Sequence, residues 1–78
     1  MRLAKIQEYF KEKGWEYRYT EEEGLGSLDF EYRGVPYHIW EFKEDGFGVE
    51  TNIRNGGKTE DIGGDYEARA IAIMESWQ

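Results

Sequence analysis

The chain has 78 residues, no cysteine, one histidine and a formal net charge of −7 at pH 7. Disulfide staples and thiolate metal sites are therefore excluded, a structural zinc centre lacks ligands, and the core must come from aromatic packing by 3 Trp, 6 Tyr and 4 Phe. The charge is uneven: residues 1–20 hold three acids and five bases (+2) and residues 21–78 hold fourteen acids and five bases (−9), a distribution that argues against direct nucleic-acid binding.

Leu3, Ile6 and Phe10 recur at helical spacing, which predicts a helix over residues 2–13, stopped by Gly14. Trp15, Tyr17 and Tyr19 alternate with Glu16, Arg18 and Thr20, predicting a strand over 15–20 and then an acidic, glycine-rich turn over 21–26. Leu28, Phe30 and Tyr32 define a second strand over 27–33, and Gly34 turns it back. A third strand runs from 35 or 37 to 43, with Pro36 at its start where a missing N–H is tolerated. Asp45-Gly46 is a strong hairpin signal before a fourth strand over 47–53. Residues 54–65 read as a long glycine-rich loop, and a second helix is predicted over 65–77 with Asp65 as its N-cap. The expectation is one domain over 1–78, an α+β fold in which both helices pack on one face of a four-stranded antiparallel meander. The inward face would carry Tyr17, Tyr19, Leu28, Phe30, Tyr32, Tyr37, Ile39, Phe47, Val49 and Ile53.

That assignment turns His38, Trp40 and Phe42 to the opposite face, among charged neighbours from the other strands. An apolar patch with a polar rim marks an interaction surface. The expected binding set is His38, Trp40 and Phe42, with the acids Glu41, Glu44, Asp45 and Glu50 able to stand in for phosphates before a basic partner. Glu50, Asn52 and Arg54 are read as sharing one face of the fourth strand. An alternative assigns Asn52, Arg54 and Lys58 to an anionic metabolite or nucleotide held by the 54–65 loop. A structural or assembly role is the bland reading of the same surface.

The chemistry-bearing motifs are thin. Gly57-Lys58-Thr59 resembles the end of a phosphate-binding loop, but position 52 is Asn where that motif needs glycine, and no helix follows the threonine directly. His38 with Glu41 or Glu50 could form a base and its orienting group, yet no Ser or Cys nucleophile has a suitable setting. The carboxylate pairs lack the spacing of a calcium loop. No enzyme activity, cofactor or metal is therefore expected. The start, Met1-Arg2-Leu3-Ala4-Lys5, runs into an amphipathic pattern rather than a leader, and no apolar run is long enough for a membrane span, so a cytoplasmic setting is expected.

Two resemblances follow. The order of helix, Gly14-Trp15, aromatic strand and Phe30-Glu31-Tyr32-Arg33-Gly34-Val35-Pro36-Tyr37-His38-Ile39-Trp40 resembles the layout of type III secretion chaperone-like and YbjN-like domains. That resemblance implies a binding module. The segments Tyr37-His38-Ile39-Trp40-Glu41-Phe42 and Gly64-Asp65-Tyr66-Glu67 are similar to small acidic proteins of phages and mobile elements, a group that includes anti-CRISPR inhibitors. This second likeness implies a protein partner, such as a host nucleic-acid-binding protein. A homodimer is the further expectation if the Trp40 face is too apolar to stay open.

Overall fold

Backbone turns set the sheet. A computed structural model of residues 1–78 places α1 (Ala4–Lys13), β1 (Tyr17–Glu22), β2 (Leu25–Tyr32), β3 (Val35–Lys43), β4 (Phe47–Asn55), β5 (Lys58–Ile62) and α2 (Tyr66–Glu75) in that order. The five strands form one antiparallel meander, β1-β2-β3-β4-β5. The β1–β2 and β2–β3 connections are two-residue hairpins at Glu23-Gly24 (φ 53° and 77°) and Arg33-Gly34 (φ 52° and 81°). Positive φ at both central positions is the turn whose twist matches that of the flanking strands. The fold is α+β with a five-stranded sheet, one strand more than expected.

The extra strand comes from the segment read as a loop. Residues 58–62 pair with β4, and the glycines Gly56-Gly57 make the turn between them. β5 escaped the alternation rule because only Ile62 is buried, while Lys58, Thr59 and Asp61 are exposed. An edge strand needs only that one apolar anchor. β4 also carries an irregularity: Thr51 pairs with Glu60 but Asn55 pairs with Lys58, so β4 holds two extra residues there.

Both helices cover one face of the sheet. Their stripes bury Leu3, Ile6, Phe10, Ala70 and Met74 against Leu28, Phe30, Ile39, Val49, Ile53 and Ile62. Beside this aliphatic centre lies an aromatic stack. Trp77 meets Trp15 at 6.0 Å, Tyr32 at 4.8 Å and Tyr37 at 4.6 Å, and Phe10 meets Phe30 at 4.6 Å between ring centroids. Such pairs add to area burial and supply the packing that a chain without disulfides needs.

Three expectations about this side are corrected. Phe47 is 40% exposed at the rim rather than in the core, with the Arg2 guanidinium 4.6 Å and the Lys43 ammonium 5.3 Å from its ring centre. Asp65 makes no side-chain cap bond to α2. Instead an acid of α2 serves the other helix: Glu67 accepts from Lys5 N–H (2.9 Å) and Ile6 N–H (3.1 Å), satisfying free donors at the start of α1. Strand β1 also starts later and runs further than expected, through Glu22, because the turn is tighter than its run of glutamates suggested.

Gly48 leaves room on β4 for the Phe42 ring. A β-carbon there would sit 2.9 Å from Phe42 Cζ and 2.8 Å from the Ile62 carbonyl oxygen. The ring can swing away, but the carbonyl belongs to the β4–β5 ladder. Gly48→Ala should therefore cost about 1–3 kcal/mol, measured as a lower midpoint in urea unfolding at an unchanged slope.

Candidate functional site

Cross-strand register determines which side chains share the uncovered face. Trp40 pairs with Ser27 on one side and Glu50 on the other, and Glu50 pairs with Asp61. Phe42 pairs with Gly48, whose missing side chain lets the ring lie across β4. Period-two alternation from these pairs puts His38, Trp40 and Phe42 on the outer face with Leu25, Asp29, Glu31, Glu50 and Asp61. Trp40 is 42% exposed. Its indole N–H donates to Asp29 Oδ1 (3.2 Å), and its ring lies 4.2 Å from the His38 ring. His38 Nε2 is shielded from solvent and has no hydrogen-bond partner within the chain. Glu44 and Asp45 are exposed in the turn between β3 and β4, at the Phe42 end of this patch.

Glu41 is not part of that surface. It pairs with Val49 on the inward face, and its side chain is 1% exposed. The carboxylate accepts Arg2 Nε (3.0 Å), Arg2 Nη2 (2.9 Å), the Tyr66 hydroxyl (2.6 Å) and Gly26 N–H (3.0 Å). The expectation of an exposed binding acid is overturned by alternation alone, because Trp40 outward forces Glu41 inward. Burial pushes this carboxyl up, but the donors from Arg2, Tyr66 and Gly26 outweigh it and hold the group below its usual range. The same contact acts in reverse on its partner. Burial and the Glu41 hydrogen bond push the Tyr66 hydroxyl up to about 12. The network joins the N-terminal residues, β2, β3 and α2 at one point, next to a left-handed Leu3 (φ 54°) that no free chain would favour.

The alternative ligand set is also taken apart. Asn52 is buried and its amide is spent: Oδ1 accepts His38 N–H (2.9 Å), and Nδ2 donates to the Pro36 (3.2 Å) and Gly56 (3.1 Å) carbonyls. Thr51 Oγ1 donates to the His38 carbonyl (2.6 Å). These two side chains take over from the β3–β4 ladder where β4 bulges. Lys58 is exposed at the hairpin tip. Arg54 was expected on the outer face, but it falls in the irregular stretch of β4 between Thr51 and Asn55 and lies on the helical side. There it pairs with Glu60 (2.8 Å) and lines a groove with Arg69, Ala72, Ile73, Ser76 and Trp77.

Sequence reasoning placed Asp29 on the outer face, where the structure has it, but missed Leu25 as a member of that face and Arg69 as a neighbour of Arg54. Leu25 was recoverable, since it shares its parity with Ser27 and Asp29. Arg69 was not, because nothing local in α2 says which hairpin tip it meets. Comparison with protein-family models, characterised proteins and solved structures gives no match. The molecule is thus defined by its architecture: a two-layer α+β domain with a bare, acid-rimmed sheet face. No helix is long and apolar enough to cross a membrane.

Proposed function

We propose that this chain is a non-enzymatic protein-binding module that uses the outer sheet face, centred on Trp40 and Phe42, to hold a basic partner in the cytoplasm. The observation carrying the proposal is the 42% exposed Trp40 on a face that neither helix covers, with Asp29, Glu50 and Asp61 around it. An exposed aromatic anchor inside a charged rim is the arrangement of binding hot spots. The rim also selects the occupant. A second copy would bring Asp29, Glu50 and Asp61 against one another, whereas a Lys- and Arg-rich surface gains attraction at these three positions, with Arg18 of β1 opposite Asp29 adding a base to the rim. The sharpest form of the proposal is a phage-encoded, anti-CRISPR-like inhibitor. In that form Glu44, Asp45, Glu50 and Asp61 occupy phosphate positions on a host nucleic-acid-binding protein. The chain itself touches neither nucleic acid nor membrane.

The test is capture of the partner on immobilised wild-type protein, then titration of the purified pair. Affinity should fall steeply with salt, and competing DNA should displace the module. The double reversal Glu44→Lys, Asp45→Lys should weaken binding by about tenfold or more, mainly through slower association. A complex indifferent to salt and to DNA would rule out phosphate mimicry.

A further inference from the structure

We propose a second binding site, on the helical side, for a small anion that carries a flat ring, of the nucleoside monophosphate class. The groove between α2 and the β4–β5 hairpin has a volume of about 490 Å³ and is lined by Arg54, Arg69, Ala72, Ile73, Ser76 and Trp77. That volume lies within the range of small-molecule sites, about 300–1,000 Å³. In a chain of net charge −7, it brings two guanidinium groups to one concavity. Each is fixed by one hydrogen bond and keeps others unspent. Arg54 Nε donates to Glu60 Oε2 (2.8 Å), and Arg69 Nη1 donates to the Gly63 carbonyl (3.1 Å). The remaining N–H groups of an anchored guanidinium suit a phosphate better than a flexible lysine would.

Beside the two arginines and Ser76, the lining is apolar: Ala72, Ile73 and the half-buried Trp77, whose indole also packs in the internal aromatic stack. Arg69 lies about 10 Å along the helix from Ser76, given a rise of about 1.5 Å per residue. That span matches a phosphate at one end and a stacked base at the other. The helix also sets the orientation. α2 ends at Ser76 with no basic residue in its last turn, so its negative pole repels an anion there and directs the phosphate towards Arg69 and Arg54. Glu60 is the competitor, since it already holds Arg54.

The experiment is NMR or calorimetric titration of the intact chain with AMP, GMP, CMP and UMP, and with adenosine and inorganic phosphate as separate probes. At least one monophosphate should saturate the groove, with its nucleoside and inorganic phosphate each about tenfold weaker or worse. Arg69→Gln should lower that affinity by about tenfold, the scale of one hydrogen bond to a charged group. Glu60→Gln should raise it, and Trp40→Ala should leave it unchanged, which separates this site from the outer face. Both groove substitutions are at exposed or half-exposed side chains, and circular dichroism will verify the fold. Failure of all four nucleotides to saturate would overturn the proposal. So would binding that survives Arg69→Gln, or binding of inorganic phosphate as tight as that of any nucleotide.

Discussion

Glu41→Ala is expected to cost about 3 kcal/mol of stability, more than any other single charged substitution in the chain. The reason is the fate of the donors. Gly26 N–H is buried and would lose this acceptor. The Tyr66 hydroxyl would lose its 2.6 Å acceptor. Arg2, whose side chain is 36% exposed, would escape to water at little cost. Glu41→Gln should cost about half as much, because its carbonyl can still accept from Arg2 Nε and Gly26 while its amide faces the other donors. For a domain of this length, with about 5 kcal/mol in total, the alanine variant sits near the edge of folding. Urea unfolding of the three proteins measures the series. The same group adds a pH signature. Its folded pKa is depressed, so its contribution is present above the usual carboxylate range and is lost as pH falls through the lower folded value. Wild type minus Glu41→Gln stability should therefore shrink on acidification. Tyr66 acts on the opposite limb: its folded pKa is raised, so its contribution is lost as pH climbs from about 10 through about 12.

The Glu41 network shows where sequence reading stops. Helices, strands β1 to β4 and the outward placement of Trp40 followed from local spacing, because period 3.6 and period 2 are properties of neighbouring residues. The same alternation implied an inward Glu41, and an acid on an apolar face looked like a surface residue only because its partners are remote. Arg2 is 39 residues away and Tyr66 is 25. Long-range hydrogen bonds leave no periodic trace. Asn52 misled for a related reason. It is buried in the irregular stretch of β4, where its amide donates to the Pro36 and Gly56 carbonyls. β5 was missed because its sequence is polar, and Arg54 was misplaced because a bulge breaks the counting on which facing depends. Local chemistry thus located the elements and the exposed aromatic patch. It could not show which polar residues the fold itself would consume.

The two tryptophans on opposite sides of the sheet should separate stability from binding. Trp77 is the hub of the aromatic stack, with Trp15, Phe30, Tyr32 and Tyr37 all within 6.4 Å between centroids. Trp77→Ala removes those ring contacts together and leaves a void between α2 and the sheet, so it should cost about 3 kcal/mol and shift the urea midpoint sharply. Trp40 makes one hydrogen bond, to Asp29, and one ring contact, to His38, and is otherwise open. Trp40→Ala should change stability by only about 0.5 kcal/mol. Its effect should appear in the complex, where loss of a central aromatic anchor costs about 2 kcal/mol or more, a factor of about thirty in Kd. The contrast gives each outcome a meaning. A Trp40 variant that unfolds would make the patch part of the fold rather than a docking surface. A Trp40 variant that folds and binds as wild type would move the partner to another face. Only a folded protein with weakened binding assigns this aromatic residue to recognition, because an exposed side chain that contributes little to its own fold has its remaining contact surface free for a partner.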